Sequence, residues 1–480
     1  MLLSDTETGT QRLRADHRRT RVQHWDHVAA KPRWTLGGYY HRQLQALHGF
    51  LVPPDMAVLE VGCGAGDLLA ALKPRRGVGL DVSAVALDQA RSRHPHLEFI
   101  QADAHDPQVT GTFDYIVLSD LVDDLWNVET VLRRLQPLCH PGTRLIITCF
   151  NRLWQLPLAC ARGLGLARPM LAQNWLSAGD VRNLLYLSGF EVVRDWREMP
   201  LPLGIPLLAP LVNRVLGRWW PLRGLGIAQV FVARPQATPR PPQRVSVIVP
   251  ARNEAGTIRD IVARVPEMGA GTELIFVEGG SSDNTAEEIA RCIAEHPERS
   301  MKLLRQSGRG KADAVRCGFA AATGDLLMIL DADMAVAPED LASFHEALSS
   351  GRGEYVNGVR LVYPLAPSAM RFFNLLGNKF FAAVLSMILG QRLGDTLCGT
   401  KALARADYLR LEAGRAFFGD FDPFGDFDLI LGAAKLNLRM VDVPVRYHAR
   451  VYGETNIQRW RHGLILLRMA WFAARRLAMR

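Results

Sequence analysis

The sequence predicts an α/β protein made of two doubly wound domains, each with a mostly parallel sheet between layers of helices. Two separate stretches alternate short apolar strands with helical segments, which is the pattern of βαβ units. A Pro-rich stretch lies between them, and 480 residues exceed one ordinary domain. The predicted organisation is a basic helical extension (1–40), a first domain (41–234), a semi-rigid linker (235–244), a second domain (245–456) and an amphipathic C-terminal helix (457–480).

The composition limits the partners and the compartment. A net charge of +9 favours an anionic partner, which leaves nucleic acid, a membrane surface and a phosphorylated substrate open. The seven cysteines are scattered without a CxxC pair, which argues against a zinc site or a disulfide framework and predicts a reducing, cytoplasmic location. Residues 11–50 are basic and aromatic, and an amphipathic helix leading into the first domain is favoured over nucleic-acid binding.

The first domain begins with a strand that runs into a glycine-rich turn. Ala57–Val61 is the strand, and residues 62–66 read Gly-Cys-Gly-Ala-Gly before a helix predicted over 67–73. Glycines at such a junction let the backbone approach a ligand closely. A second strand over 77–80 ends at Asp81, nineteen positions after Gly62, close to the spacing of an acid that binds ribose hydroxyls. The pattern predicts a site for a nucleoside-containing cofactor.

Residues 58–66, Val-Leu-Glu-Val-Gly-Cys-Gly-Ala-Gly, resemble the first motif of class I S-adenosylmethionine-dependent methyltransferases. NAD binding is the rival, but the Gly-x-Gly-x-Gly spacing and Glu60 before the loop favour the methyltransferase. The resemblance implies that Asp81 binds the ribose and that Asp103 contacts the adenine. The cofactor residues that it implies are Glu60, Gly62, Gly64, Gly66, Asp81 and Asp103.

The resemblance covers roughly residues 40–235 and includes a predicted antiparallel pair over 190–196 and 228–233. It does not identify the methyl acceptor. Asp120, Asp123 and Asp124 either orient that acceptor or serve as ordinary helix caps. Two segments, 152–176 and 200–227, are rich in Leu, Pro and Trp. They could cover the acceptor pocket, pack against the second domain or enter lipid headgroups.

The second domain is organised around an apolar strand that ends in two acids. Leu326–Leu330 is hydrophobic throughout, and Asp331 and Asp333 follow it. Ligands of open α/β sheets bind beyond the carboxyl ends of such strands, and two carboxylates there suit Mg²⁺ or Mn²⁺ on a diphosphate. A glycine-rich basic turn opens a helix at Lys311, an arrangement that suits phosphate binding.

The order of strands and acids over residues 244–456 resembles family 2 glycosyltransferases. The resemblance implies a nucleotide-sugar donor and inversion at the anomeric carbon, with Asp331 and Asp333 as metal ligands. Gly279 stands where the second nucleoside-binding Asp of the family belongs, so the base of the donor stays open. The implied donor residues are Pro250, Asn253 and Glu254 of the first motif, with Glu278, Asp283 and Lys311.

Further motifs point to the acceptor side. Leu397–Lys401 resembles the loop that lines this side, and Asp426 sits where the family carries its acidic base. Residues 451–456 resemble the phosphate loop of dolichol- and polyprenyl-phosphate sugar synthases, with Asn456 in place of Lys. The resemblance implies phosphate contacts from Lys401, Arg446 and Arg450, although a lone Arg is more often a surface charge.

Two segments are apolar enough to lie in a membrane interface. Residues 371–389 are interrupted by polar side chains, and residues 459–480 mix aromatic, aliphatic and basic ones. Neither provides a run of ~18 uninterrupted apolar residues, which a spanning helix needs. Both favour interfacial helices on an anionic leaflet, hence peripheral attachment to the cytoplasmic face. The alternative is helices that pack on the core with a basic outer face.

The leading hypothesis is a bifunctional enzyme that glycosylates a polyprenyl phosphate or a related membrane acceptor and methylates an unidentified acceptor. The alternative is a glycosyltransferase acting on a hydroxyl, with the N-terminal half as a regulatory or docking module. A nucleic-acid methyltransferase with an inactive appendage fits the charge but not the intact Asp331 and Asp333. Nucleic acid is therefore not an expected partner, and the sequence leaves the oligomeric state open.

Overall fold

A computed structural model describes residues 2–30, 38–165, 167, 170–218, 222–364, 372–417, 426–448, 452 and 459–478. The chain divides into two compact units, Met1–Gln236 and Ala237–Arg480. Their boundary falls inside the Pro-rich stretch.

The N-terminal unit is built on a seven-stranded sheet in the order β3-β2-β1-β4-β5-β7-β6. The first five strands in that order pair in parallel, while β7 is antiparallel to both β5 and β6. The predicted antiparallel pair is therefore confirmed. The strands are β1 (Ala57–Val61), β2 (Arg76–Asp81), β3 (Glu98–Gln101), β4 (Phe113–Ser119), β5 (Cys139–Phe150), β6 (Phe190–Glu198) and β7 (Ala228–Pro235).

Helices cover both faces of this sheet because its central strands are apolar on both sides. In β1, Leu59 and Val61 enter one buried cluster and Val58 enters the other, as the two-residue period of a strand requires. The predicted helix over 67–73 ends two residues earlier, at Ala71. The helices are α1 (Leu2–Ala30), α2 (Gly38–Leu51), α3 (Asp67–Ala71), α4 (Ala84–Arg93), α5 (Val128–Leu135), α6 (Gln155–Gly163), α7 (Ala178–Leu187) and α8 (Leu208–Arg214).

The C-terminal unit has a second seven-stranded sheet, in the order β10-β9-β8-β11-β13-β12-β14. Its strands β10, β9, β8 and β11 pair in parallel, and β13 runs antiparallel to β11 and β12. Together the two sheets confirm the predicted pair of α/β domains. The strands are β8 (Val245–Ala251), β9 (Thr272–Glu278), β10 (Ser300–Arg305), β11 (Leu326–Ile329), β12 (Tyr355–Val359), β13 (Lys401–Ala404) and β14 (Met440–Pro444).

The helices of this unit also lie on two buried clusters, one on each face of the sheet. Among the described residues, no helix has the length and apolarity to cross a membrane. The helices are α9 (Ile258–Arg264), α10 (Thr285–Glu295), α11 (Lys311–Ala321), α12 (Leu341–Ser349), α13 (Phe372–Leu389), α14 (Arg405–Ala413), α15 (Asp426–Lys435) and α16 (Arg459–Ala473), which a π-helical turn extends to Ala478.

The two helices expected at a membrane interface are each buried along one stripe and apolar along another. In α13, Leu385 and Leu389 are buried while Phe380 and Met387 are exposed. In α16, Met469 and Ala473 are buried while Leu467 and Trp471 are exposed. Core packing therefore accounts for one stripe of each helix, and it leaves the exposed apolar side chains unexplained.

Candidate active sites

The glycine-rich turn of the N-terminal unit closes tightly at the carboxyl end of β1. Gly62, Gly64 and Gly66 all have positive φ angles, of 79°, 51° and 74°, a region that favours glycine. A Cβ on Gly66 would lie 2.7 Å from the Phe99 ring. The positive φ angles disfavour larger residues at all three positions, and at Gly66 the Phe99 ring also leaves no room for a side chain.

Asp81, predicted to bind a ribose, holds this turn in place. One of its carboxylate oxygens accepts the Gly64 N–H at 2.8 Å, and the other accepts the Ser83 N–H at 2.9 Å. Burial nevertheless raises the pKa of Asp81. The acid thus links the glycine turn after β1 to the start of α4 after β2.

Asp103, predicted to contact an adenine, lies beyond β3 and contacts a histidine and an arginine. The His105 ring Nδ1 lies 2.7 Å from its carboxylate, and Arg18 of α1 approaches it at 3.4 Å. The hydrogen bond from His105 lowers the pKa of Asp103 to about 2. Asp103 is therefore ionised, and it connects α1 to the carboxyl edge of the sheet.

Glu60 is buried within β1, directly before the glycine turn. Its exposed fraction is 3%, and its Oε2 has no hydrogen-bond partner among the described residues. Burial raises its pKa to about 8. The Glu60 carboxyl, in the strand that precedes the turn, is therefore mostly protonated at neutral pH.

Three aspartates follow β4, and none of them caps α5, whose N-cap is Asn127. Asp120 has a positive φ of 54° and accepts the Tyr40 hydroxyl at 3.0 Å. Asp123 accepts the Phe150 N–H at 2.8 Å. Asp124 pairs with Arg21 at 2.8 Å.

Burial raises the pKa of Asp120 to about 7 and that of Asp123 to about 8. Asp123 is 1% exposed, and its Oδ1 has no hydrogen-bond partner among the described residues. Among the described residues, neither acid forms an ion pair, in contrast to Asp124, which pairs with Arg21. The edge beyond β4 therefore carries two weakly acidic carboxyls beside the glycine turn.

In the C-terminal unit, hydrogen bonds join the loop after β8, which contains Asn253, to the turn after β9. Asn253 has a positive φ of 56°, and its side-chain oxygen accepts the Ser282 N–H at 2.8 Å. Asp283 accepts from Thr285 and, at 3.4 Å, from the Ala255 N–H. Although burial acts to raise its pKa, these bonds hold the pKa of Asp283 below its usual value.

Other donor-side residues lie on the same two strand ends. Pro250 is the penultimate residue of β8, and Glu278, 7% exposed, is the last residue of β9. Glu254 donates its N–H to the Thr285 hydroxyl at 3.0 Å. The parallel pairing of β8 with β9 thus places the predicted donor residues together at one edge.

Asp331 follows β11 at the same edge and forms an ion pair with Lys311 at the start of α11. The Lys311 ammonium lies 2.5 Å from the Asp331 carboxylate. Burial opposes ionisation, but the lysine charge outweighs it and keeps the pKa of Asp331 below its usual value. A Cβ on Gly399 would overlap both side chains, so a larger residue there would require this pair to move.

Asp333 turns back onto its own segment, where its carboxylate accepts the Ala335 N–H at 3.1 Å. The residues after Asp333 pair with the residues that follow β14. Val336 and Tyr447 form an antiparallel bridge, and the His448 N–H donates to the Ala335 carbonyl. Arg446, predicted to contact phosphate, is exposed and lies over the Tyr363 ring at 5.0 Å.

Two carboxylates fit a cation that takes its other ligands from a substrate, as Mg²⁺ commonly does. Among the described residues, no group of three His, Cys, Asp or Glu side chains could hold a metal. The fit of Asp331 and Asp333 therefore depends on oxygens from a diphosphate, and Lys311 occupies one side of Asp331 in this structure.

Lys401, which was predicted to contact the phosphate of the acceptor, is buried inside the unit. Its exposed fraction is 0%, and its ammonium donates to the Asn357 side chain at 2.9 Å and to the Cys398 carbonyl at 2.7 Å. A buried ammonium with these partners supports the 398–400 loop beside Asp331. A direct phosphate contact from Lys401 would need the loop to rearrange.

A buried ion pair that the sequence did not reveal supports the same loop. Arg360 contacts both Asp395 oxygens, at 2.7 and 2.9 Å, and Asn378 donates to Asp395 at 2.7 Å. Asp395 also accepts the Leu397 and Cys398 N–H groups. Its only sequence signal was an acid in the loop that precedes Cys398, which does not identify a partner.

Part of the predicted acceptor side lies outside the described residues. Arg450 and residues 453–456 lie outside the described part of the chain. Asp426 begins α15, but its side chain is likewise outside the description. These acceptor-side predictions stay predictions.

Both sheets thus carry their polar, glycine-rich turns at the carboxyl edge, and sequence comparisons identify the class. Residues 246–409 match the model of glycosyl transferase family 2, and residues 36–195 match that of a methyltransferase domain. The protein is a transferase. More particularly, its C-terminal half contains a family 2 glycosyltransferase domain and its N-terminal half a methyltransferase domain.

Curated relatives include two glycosyltransferases of Haloferax volcanii. Glycosyltransferase AglJ is 29% identical over 47% of this chain and 70% of its own length. Glycosyltransferase AglD is 28% identical over 47% of this chain but only 36% of its own length.

Solved structures similar to the chain include two methyltransferases. One is magnesium protoporphyrin IX methyltransferase from Synechocystis PCC 6803 with bound SAH, at 17% identity over 47% of this chain and 99% of that one, with a TM-score of 0.32. The other is a possible histamine N-methyltransferase from Thermotoga maritima, at 18% identity over 41% and 89%, with a TM-score of 0.33. The methyltransferase assignment depends on the family model that matches residues 36–195.

Proposed function

We propose that the C-terminal unit transfers a sugar, with inversion, from a nucleotide-sugar donor to a polyprenyl phosphate or another membrane-associated acceptor. The observation that carries the proposal is the convergence of Asn253, Glu278 and Asp331 at the ends of three adjacent parallel strands. The bond from the anomeric carbon to the diphosphate breaks with its electron pair on the diphosphate. The acceptor oxygen forms the new bond from the opposite face.

Mg²⁺ or Mn²⁺ on Asp331 and Asp333 would neutralise charge on the departing diphosphate. Lys311, at the N-terminus of α11, would bind a phosphate oxygen of the donor. Glu278 and Asp283 would seat the nucleoside. Incubation of the full chain with Mn²⁺, a panel of nucleotide sugars and a polyprenyl phosphate tests this activity through release of the nucleotide. No release with any donor would contradict the proposal.

The role of Asp426 separates two kinds of acceptor. A phosphate monoester is already anionic and needs no strong base, so Asp426 would orient it. A hydroxyl must lose a proton, and Asp426 would then act as the general base. Near-full activity of Asp426→Asn would exclude the hydroxyl route, and a loss of about 10²-fold or more would support it.

We propose further that the N-terminal unit binds S-adenosylmethionine, whose sulfonium supplies an electrophilic methyl group, and methylates an acceptor not yet identified. Support comes from the glycine turn, with Asp81 behind it and Asp103 at the next strand end. Calorimetric titration of the full chain with S-adenosylmethionine should show one site. Asp103→Asn should weaken binding at least about tenfold, whereas Asp106→Asn, an exposed neighbour, should not.

One observation favours a rival in which the N-terminal half is a docking or regulatory module. Helix α1 contacts the cofactor edge at three points, through Arg18 on Asp103, Arg21 on Asp124 and Asp26 on the Ser83 hydroxyl. A helix fixed there would block a cofactor. The absence of any heat signal with S-adenosylmethionine would support this module and end the methyltransferase proposal.

The chain would reach its membrane acceptor as a peripheral protein of the cytoplasmic leaflet. Support comes from exposed apolar side chains on α13 and α16, including Phe380, Met387, Leu467 and Trp471. Flotation with vesicles containing anionic lipid is the test. The double variant Leu467→Asp and Trp471→Asp should reduce the bound fraction if α16 lies in the interface.

A further inference from the structure

Exposed apolar side chains also form a surface on the N-terminal unit. Two long segments form this surface, at the edge of the sheet that carries the glycine turn. The first segment follows β5, and the second connects β6 to β7. Because β5 is parallel to β4, and β5 and β6 are both antiparallel to β7, all of these ends lie at one edge. We call this surface the apolar rim; its exposed side chains are Leu153, Leu156, Leu164, Leu203, Ile205, Leu207, Leu208, Leu211, Val215, Leu216, Leu222 and Leu225.

Hydrogen bonds join the two segments into one surface. The Trp154 indole donates to the Leu225 carbonyl at 2.7 Å, and the Asn151 amide donates to the Gly224 and Gly226 carbonyls. The second segment is held by Asn213, which is 8% exposed. Its side-chain oxygen accepts the Leu201 N–H, and its side-chain NH₂ donates to the Leu201 carbonyl. The rim is thus an ordered surface.

The exposure of this rim is far above what folding of the unit requires. Leu207 is 88% exposed, Leu156 76% and Leu164 74%. Helix α6 has no buried residue at all. Monomeric soluble proteins rarely expose contiguous apolar surface on this scale, and such patches mark interaction sites.

Charge identifies the partner. Residues 152–176 and 200–227 contain six arginines and not one Asp or Glu. Leu, Trp and Arg without acids are the composition of segments that lie in the headgroup region of an anionic leaflet. A second copy of the chain is a poor partner, since a two-fold contact would bring this purely basic surface against itself.

We propose that the apolar rim docks on an anionic lipid bilayer and presents the cofactor edge of the N-terminal unit to the headgroup region. Helix α2 connects the two features. The Tyr39 hydroxyl accepts from the Asn213 amide of the rim at 3.1 Å, and the next residue, Tyr40, donates to Asp120 at 3.0 Å. An acceptor carried by the bilayer would therefore arrive beside Asp120. This last step rests on the proposed methyl transfer, whereas the docking does not.

Cys160 of α6 supplies a reporter inside the rim. It is the exposed member of the seven cysteines, the others being buried or partly buried. The full chain, labelled there with a polarity-sensitive fluorophore, is mixed with vesicles of phosphatidylcholine alone or with phosphatidylglycerol. The emission should shift to the blue with the anionic vesicles only. The Cys160→Ser chain, labelled in parallel, measures the background from other thiols.

A matched control places the label on another face of the same unit. Leu187 on α7 is 47% exposed, and a label on Leu187→Cys in the Cys160→Ser background should show no shift. Unlabelled Leu156→Asp, Leu164→Asp and Leu207→Asp, combined in one chain that keeps Leu467 and Trp471, should lower vesicle partition about tenfold.

Several results would overturn the docking proposal. These are flotation without a shift at Cys160, an equal shift with neutral vesicles, no flotation at all, or a shift that rises with protein concentration in the absence of lipid, which would indicate self-association. If the shift occurs but calorimetry finds no S-adenosylmethionine binding, the docking stands and the methyl-transfer proposal fails.

Discussion

Two acids after β4 and one acid after β11 differ in their partners: among the described residues, Asp120 and Asp123 form no ion pair, whereas Asp331 lies against a lysine. Beyond β4 of the N-terminal unit, Asp120 is half-buried beside Tyr40 and Asp123 is buried beside the Phe150 N–H. Burial raises their pKa values to about 7 and about 8. Beyond β11 of the C-terminal unit, Asp331 lies against Lys311, whose charge keeps its pKa low. Acids at equivalent strand ends therefore differ in charge. Asp120 is partly and Asp123 mostly protonated near neutral pH, whereas Asp331 is ionised.

This difference matches the charge of the ligand proposed for each edge. A sulfonium is a cation, and acids with no counter-ion gain from its arrival. A nucleoside diphosphate is an anion, and the Lys311 ammonium together with the cation proposed on Asp331 and Asp333 would offset its charge. Substitutions at and near both edges would test this contrast.

Arg360→Met would break the most completely buried ion pair near the second edge. Asp395 is 0% exposed and would keep its charge without a counter-ion, which costs about 3–5 kcal/mol. Urea unfolding of the C-terminal unit measures the loss. Arg352→Met is the control, because its pair with Glu346 is exposed and worth about 0–1 kcal/mol. Equal losses would show that the Arg360 pair adds no more than a surface contact.

Asp331→Asn should lower glycosyl transfer by about 10²–10³-fold, since it removes charge stabilisation at the reacting diphosphate. Nucleotide release is the measurement, and calorimetric S-adenosylmethionine binding reports that the rest of the chain is intact. Asp325→Asn, at the other end of the same strand, should stay within a few-fold of wild type. Full activity of Asp331→Asn would show that the charge of Asp331 is not needed for glycosyl transfer.

Asp123→Asn should flatten the pH dependence of stability in the N-terminal unit. The folded unit binds the Asp123 proton with a pKa of about 8, well above that of an unfolded Asp. Stability is therefore fully present below about pH 4 and is lost toward pH 8, by up to about 1.4 kcal/mol per pH unit.

Hydrogen exchange in the Phe113–Ser119 peptide, followed from pH 5 to pH 8 and corrected for the intrinsic rate, measures this effect. The Asn variant cannot ionise and should show a smaller slope than wild type. Asp106→Asn, which alters an exposed acid, should keep the wild-type slope. Identical slopes in all three proteins would contradict the raised pKa.

Lys311→Met should separate the two partners of Asp331. Loss of the ammonium should weaken donor binding about tenfold, while Mn²⁺ binding to the donor-free chain should strengthen by roughly a similar factor, because a competing positive charge is gone. Titration of Mn²⁺ by electron paramagnetic resonance gives the second quantity. Unchanged Mn²⁺ affinity would mean that the lysine does not compete for the carboxylate. Arg309→Met, an exposed neighbour, is the control.

The site could be predicted as far as positions along the chain allow. Glycines 62, 64 and 66, Asp81 and the Asp331–Asp333 pair lie at the strand ends where their spacing placed them. Lys401 shows the limit. The resemblance implied a phosphate contact, but the structure buries its ammonium under the 398–400 loop. Whether a lysine faces solvent or supports a loop depends on residues distant in sequence, here Asn357.

The sequence by itself determined the two α/β domains and the strand ends that carry the chemistry, because apolar runs, glycine turns and acids are local signals that fix elements and their order. Only the tertiary structure decided which acids acquire partners. Arg360 meets Asp395, Lys311 meets Asp331, and Asp120 meets Tyr40 through contacts across 35, 20 and 80 positions. Such partners, together with burial, set the charge at each edge, and neither can be read from a linear pattern.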